Sequence, residues 1–137
     1  MSIEEKKNIV RRYQDIYNSN NLDDLLEVVS EDLLTPRIMA GIPPGIEGAK
    51  AAHQIMLDGC PDYHTVIEDM FAEGDKVAAR ITITGTHTGV LMSVPPTGRK
   101  LVFTGIYICR ISNGKIVEHW GEEDAVSLLM QLGVLKM

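Results

Sequence analysis

The sequence predicts an α+β fold, with helices packed on one face of a curved, largely antiparallel sheet. Three observations carry this. Up to Cys60-Pro61 the apolar residues recur at helical spacing, and from Tyr63 onward they alternate with a period of two. Asn113-Gly114 separates two alternating runs and marks a tight hairpin. A stretch led by Asp124 and stopped by Gly133 then returns to helical spacing. Helices, a meander of strands and a closing helix are the order expected of an α+β domain.

Ser2-Ile-Glu-Glu5 reads as a capping box, and Ile9, Tyr13, Ile16 and Tyr17 share one face of the helix it opens. Asn18 to Asn21 ends that helix. Leu22, Leu25, Leu26 and Val29 mark a second, short one with an Asn cap. Residues 31–37 form a short strand, Gly41 to Gly45 a loop, and 46–58 a third helix that Cys60-Pro61 stops. Strands follow at 63–72 and 76–88 around Glu73-Gly74-Asp75. Loop 89–98 leads to a strand at 99–111, and the hairpin to a last strand at 115–121. A final helix runs from Asp124 to about Gln131.

The 137 residues fit one domain, 1–137, large enough to bury a core. Apolar residues make up 45% of the chain, which argues against disorder. A net charge of −6 without a basic run argues against nucleic-acid or membrane partners. The start of the chain is charged and helical, without the apolar core of a signal peptide, so the expected address is cytoplasmic. Cys60 and Cys109 read as reduced thiols. His53, His64, His87 and His119 have no metal-ligand spacing, so neither metal nor cofactor is expected.

Period-two alternation nominates the inward side chains. In 76–88 the apolar face of Val77, Ala79, Ile81 and Ile83 continues to His87. In 99–111 it holds Leu101, Phe103, Gly105, Tyr107, Cys109 and Ile111. In 63–72 it holds Tyr63, Thr65, Ile67, Asp69 and Phe71. In 115–121 one face carries Ile116, Glu118 and Trp120, leading on to Asp124, and the other Val117, His119 and Gly121. The candidate site is therefore Asp69, His87, Phe103, Tyr107, Glu118, Trp120 and Asp124. Each has a structural alternative. Asp124 suits the N-cap of the last helix, His87 a strand end, Tyr107 the core and Trp120 packing. Glu122 and Glu123 suit solvent or the helix N-terminus, and His64 and His119 the surface or a groove.

Four pieces taken together are distinctive: Thr86-His87-Thr88-Gly89; Pro95-Pro96-Thr97-Gly98-Arg99; Asn113-Gly-Lys-Ile-Val-Glu-His-Trp120; and Asp124 followed by Leu128-Leu-Met-Gln-Leu-Gly133. Leu22-Asp23, Pro43-Pro44-Gly45 and Glu68-Asp69 match more loosely. The chain resembles the SnoaL-like polyketide cyclases, or ester cyclases, of the NTF2-like superfamily. The resemblance implies a cone: a strongly curved mixed sheet around a deep apolar cavity, closed by three helices from the N-terminal half and a short C-terminal one. It also implies homodimers or larger homo-oligomers. Such enzymes close a ring in an aromatic polyketide methyl ester by an intramolecular aldol reaction, without cofactor or metal. Their acid/base is an Asp at the end of the last strand, which here is Asp124. Where many relatives carry a His after the second helix, this chain reads Leu34-Thr35-Pro36-Arg37.

The expected function is a cofactor-independent cyclase or isomerase of a small apolar carbonyl or polyketide-type compound. Asp124 and His87 are its catalytic candidates. Tyr107, Trp120, Glu118, Asp69 and Phe103 are its substrate-binding candidates. A carboxylate in an apolar site is a stronger base because desolvation disfavours its charge. His87 and Tyr107 are placed to bond an enolate oxygen. Two alternatives stay open: epoxide-hydrolase-like addition of water in the same cavity, and a non-catalytic binding or dimerisation module.

Overall fold

The computed structural model describes residues 1–35 and 41–136. Helix α1 spans Ile3–Ser19, and the Ser2 hydroxyl accepts the Glu5 N–H at 3.0 Å, as the capping box requires. The expected short second helix is present as a 3-10 helix, Leu22–Glu27, but Asn21 makes no side-chain cap. Six residues bracketed by Asn20 in the left-handed region and by a strand leave no room for a longer helix. Strand β1, Val29–Leu34, starts two residues earlier than expected. Pro36 and Arg37 lie outside the described residues. Helix α2 is Gly45–Gly59, and strands β2, β3, β4 and β5 are His64–Glu73, Lys76–Thr86, Lys100–Ser112 and Lys115–Glu123. Helix α3, Ala125–Gln131, closes the chain.

The sheet order is β1-β5-β4-β3-β2; β1 runs parallel to β5 and the other pairs are antiparallel. The hairpin forms at Asn113-Gly114, both with positive φ (53° and 75°), as a tight turn of matching twist demands. Helices α1 and α2 cover one face. That inner face buries Val77, Ala79, Ile81 and Ile83 of β3 with Leu101, Phe103, Tyr107, Cys109 and Ile111 of β4, beneath Val10, Tyr13 and Ile16 of α1. No helix among the described residues is long and apolar enough to cross a membrane.

Two bulges decide what faces inward. In β2, Ile67 pairs with Ile81 and Asp69 with Arg80, so Glu68 is an extra residue. In β5, Ile116 pairs with Ile111 and Glu118 with Arg110, so Val117 is extra. Beyond each bulge, alternation continues on the opposite face. The inward expectation for Asp69, Glu118 and Trp120 is thereby corrected. Asp69 lies on the outer face, bonded to Arg80 at 2.7 Å, and Glu118 is bonded there to Arg110 at 2.8 Å. Trp120 is 46% exposed on that face, opposite Ile108.

Two primary amides extend the ladder where strands are missing. Asn18 donates to the Thr65 carbonyl (2.8 Å) and accepts from its N–H (3.0 Å) at the edge of β2. Gln131 does the same for Val102 (2.7 and 2.8 Å), where β5 has already ended. Loop 87–99 is tied to the end of α2, the Thr88 and Gly89 N–H groups both donating to the Gly59 carbonyl. A Cβ on Gly89 would stand 1.9 Å from the Asp58 carbonyl oxygen, so only glycine fits. Gly89→Ala should lower stability by about 1–3 kcal/mol through forced separation of loop and helix, to be read from the shift of the thermal unfolding midpoint.

Candidate active site

The end of β5 presents two different surfaces. On its inner face His119 lies opposite Cys109, Gly121 opposite Tyr107, and Glu123 opposite Gly105. Both glycines leave the floor of the interior bare. A Cβ on Gly121 would stand 3.3 Å from His119 Nε2, and one on Gly105 would stand 3.1 Å from Glu123 Cγ. With that space open, the His119 ring stacks on Tyr107 (centroids 4.8 Å apart, planes at 30°) and the Glu123 stem lies over β4.

Helix α1 roofs this floor. The Tyr13 hydroxyl lies 2.9 Å from His119 Nδ1, and the Tyr107 hydroxyl donates to Gln14 Oε1 at 3.1 Å. Rings then run in contact from Tyr13 to Tyr17 (5.1 Å), from Tyr17 to His53 of α2 (5.0 Å), and from His53 to Tyr63 just before β2 (5.7 Å). His53 is buried, and its Nε2 has no hydrogen-bond partner among the described residues.

Burial sets the protonation of this cluster, because it disfavours every charged form. It pushes the Tyr17 phenol up to about 12 and holds Tyr13 and Tyr107 well above the usual phenol value. His119 is pushed down to about 4 and His53 is lowered too, so both imidazoles are neutral at pH 7. The hydrogen bond between the Tyr13 hydroxyl and His119 Nδ1 couples the phenol to the ring tautomer: Tyr13 donates when the ring proton is on Nε2 and accepts when it is on Nδ1. Glu123 is solvent-exposed at the end of β5, and partial desolvation there raises its carboxyl above the ordinary value. Tyr63, raised first by burial, is raised further by the Glu123 charge.

The sequence-derived candidates divide accordingly. Tyr107 and Phe103 are on the inner face and buried. Asp69, Glu118 and Trp120 are on the outer one. His87 follows the end of β3 and is fully buried. Its Nδ1 accepts the Thr97 N–H (3.2 Å), with Thr97 Oγ1 at 2.9 Å, so it holds loop 87–99 together, while its Nε2 has no partner among the described residues. Asp124 is the exposed N-cap of α3, with Oδ1 accepting the Ser127 N–H at 3.0 Å. Beside it is an open depression of about 470 Å³ lined by Val126, Ser127, Met130 and Gln131.

Sequence reasoning missed Gln14, His53 and His119 as members of the interior cluster, whereas Glu123 is exposed, as expected. His53 carried a readable signal, since Ile46, Ala49, His53 and Met56 fall at helical spacing and all four are at least partly buried on α2. His119 did not, since its facing depends on the extra residue in β5.

A helix-roofed, strongly curved mixed sheet with a polar cluster under the roof is the NTF2-like cone. Residues 7–132 match the model of the SnoaL-like polyketide cyclases, and the chain belongs to that family. It is 30% identical to the aklanonic acid methyl ester cyclase DauD of Streptomyces sp. (strain C5), over 91% of this chain and 80% of that one. It is 31% identical to the nogalonic acid methyl ester cyclase of Streptomyces nogalater, over 85% and 89%. Among solved structures, TsrD from Streptomyces laurentii superposes with a TM-score of 0.89 at 27% identity, covering 98% of this chain and 99% of that one. Wild-type IdmH from Streptomyces antibioticus gives 0.81 at 34% identity, covering 94% and 99%.

A histidine that is neutral in the fold but charged in the unfolded chain destabilises the fold as pH falls below the unfolded value near 6.5, down to the folded value near 4. Urea unfolding should therefore give a free energy lower by about 2 kcal/mol at pH 4.5 than at pH 7 from this residue. His119→Gln should remove that part of the pH dependence.

Proposed function

We propose that this chain is a cofactor-independent cyclase that closes a ring in a carbonyl compound of the polyketide class by acid/base proton transfer at the end of β5, with Asp124 as proton carrier. The observation that carries this reading is family membership over 7–132 together with a carboxylate at the β5–α3 corner, four residues after Trp120. The curated relatives are named for methyl esters of aklanonic and nogalonic acid, and such an ester is the substrate class proposed here. One Asp124 oxygen caps α3, which leaves the other for a ligand in the adjoining depression, against Val126 and Met130.

The chemistry needs one proton moved twice. A carboxylate removes a proton from carbon beside a carbonyl, and the electron pair moves onto that carbonyl oxygen as an enolate. The enolate carbon attacks a second carbonyl carbon, a C–C bond forms, and the second oxygen becomes an alkoxide that takes the proton back. A positioned acid/base of this kind contributes about 10²–10⁴-fold.

Asn caps helices as well as Asp does, so Asp124→Asn isolates the chemistry from the fold. Its turnover of aklanonic acid methyl ester should fall by about 10²–10⁴-fold, with affinity within a few-fold of the parent. Parental turnover would reduce Asp124 to a cap. Product formed in ¹⁸O water should carry no label, whereas addition of water to an epoxide would incorporate it.

We also infer that a homodimer forms through the outer face of the sheet. That face exposes Phe71, Ile106, Ile108 and Trp120 between the Asp69–Arg80 and Arg110–Glu118 ion pairs. An apolar centre flanked by both signs of charge is self-complementary about a two-fold axis. Ile106→Lys with Trp120→Lys should shift the species seen in sedimentation from dimer to monomer. A parent that sediments as a monomer refutes the interface.

A further inference from the structure

Helix α3 has seven residues, too few to be stable alone, so its place is set by what holds it. Leu128 and Leu132 bury one side of it, but apolar attraction has no direction and does not fix how the helix turns or slides. Hydrogen bonds to β4 do. The Asp124 N–H donates to the Thr104 carbonyl at 2.9 Å. At the other end, the Gln131 amide accepts from the Val102 N–H at 2.8 Å and donates to the Val102 carbonyl at 2.7 Å. That pairing settles which amide atom is oxygen and which is nitrogen. The second hydrogen on Gln131 Nε2 goes to Ser127 Oγ at 2.9 Å, and the Gln131 main-chain carbonyl accepts from Arg99 Nη1 at 2.7 Å. Gln131 lines the depression beside Asp124, yet both its amide hydrogens are in use, so it has none to give a ligand there. Its bonds lead to Asp124 instead. Ser127, held at its hydroxyl by Gln131, donates its own N–H to Asp124 Oδ1 at 3.0 Å.

We propose that Gln131 is a positioning residue for the acid/base: its amide, seated on Val102 of β4, fixes through Ser127 where the Asp124 carboxylate stands in the depression. This rests on the cyclase reading above and adds the residue that sets the geometry of its proton carrier. The path is Val102, Gln131, Ser127, Asp124, and every link is a hydrogen bond. It begins on the sheet backbone and ends on the carboxylate oxygen that caps α3, so the other oxygen is presented from a fixed frame. A base that takes a carbon-bound proton has to meet it at close range. A misplacement of about 1 Å, caused by a change remote from the chemistry, lowers the rate by about 10²-fold. Without the Gln131 amide, Ser127 Oγ loses its partner, α3 is free to turn over Val102, and the bond to Asp124 Oδ1 loosens. The free oxygen then spends less of its time within reach of the substrate. Loss of the same bonds also lowers stability, but the two effects separate: positioning matters only while there is a carboxylate to position.

The test uses the full chain, with aklanonic and nogalonic acid methyl esters as probes, well below the lowest unfolding midpoint in the set. Gln131→Met keeps the length of the side chain and removes its hydrogen bonds. It should lower kcat by about 10- to 100-fold and leave KM within about threefold of the parent. Ser127→Ala leaves the Val102 bonds in place and breaks only the side-chain link. It should give a smaller fall in kcat with a near-parental unfolding midpoint. A double-mutant cycle with Asp124→Asn separates positioning from mere support. In the Asp124→Asn background, Gln131→Met should change the residual turnover by less than about twofold. A purely structural role lowers turnover by the same factor in both backgrounds, and equal factors overturn the proposal. Parental kcat in Gln131→Met overturns it too, and if Asp124→Asn is then inactive the cyclase reading still stands. Parental turnover in Asp124→Asn, or a parent that converts neither ester, overturns that reading and the role of Gln131 with it.

Discussion

In β5, Val117 has no partner of its own on β4, and the contents of the interior follow from that one extra residue. Ile116 before it is fully buried. Unbroken alternation from Ile116 would send Glu118 and Trp120 inward and leave His119 and Glu123 outside. The bulge reverses this. It turns the Glu118 charge to Arg110 on the outer face and brings a neutral imidazole, a bare glycine and one carboxylate to the inner one. Burying an ionised group without a partner is costly, while a neutral imidazole with a phenol to bond is tolerated. The bulge in β2 acts in the same sense on Asp69. Both bulges export a charge and import something an apolar interior can hold.

The roof completes what the floor begins. Tyr13 and Gln14 are consecutive on α1, and each satisfies one polar group of the sheet, on His119 and on Tyr107. A helix displaced along its axis would strand both bonds, so the cluster fixes the seating of α1 more narrowly than apolar contact alone could. His53 on α2 is different: its ring is packed between Tyr17 and Tyr63, and its Nε2 has no hydrogen-bond partner among the described residues.

Much of the architecture is legible from short-range signals: the Ser2 cap, the Asn113-Gly114 turn, the alternation of β3 and β4, and the Asp124 cap. Each depends on a few neighbouring residues and on backbone geometry that any context shares. Residues such as His87 and Asp124 were also legible as positions, since motifs and end signals place them. The facing of β2 and β5 was not, because an inserted residue is invisible to a period-two pattern until the partner strand supplies the register. Period-two reading therefore puts His119 at the surface or in a groove and Asp69, Glu118 and Trp120 inside, and the structure reverses both, while Glu123 is exposed as expected. The short helix expected at Leu22 is present as a 3-10 helix, Leu22–Glu27, and its form is set for a related reason. Its apolar spacing fits an α-helix or a 3-10 helix, and only the early start of β1 limits its length.

Asn18 and Gln131 carry a further consequence. A primary amide offers one acceptor and one donor at nearly the spacing of a peptide group, so each behaves as a strand one residue long. Strands at the rim of a sheet invite pairing with any other extended chain. Here the rim of β2 at Thr65 and the uncovered end of β4 at Val102 are already answered from within the same molecule. Both amides sit on helices, at the end of α1 and of α3, so neither can be lost without unwinding a helix or turning a side chain away. At Thr65 and Val102, then, the positions where another chain would begin to pair are occupied by side chains of this one.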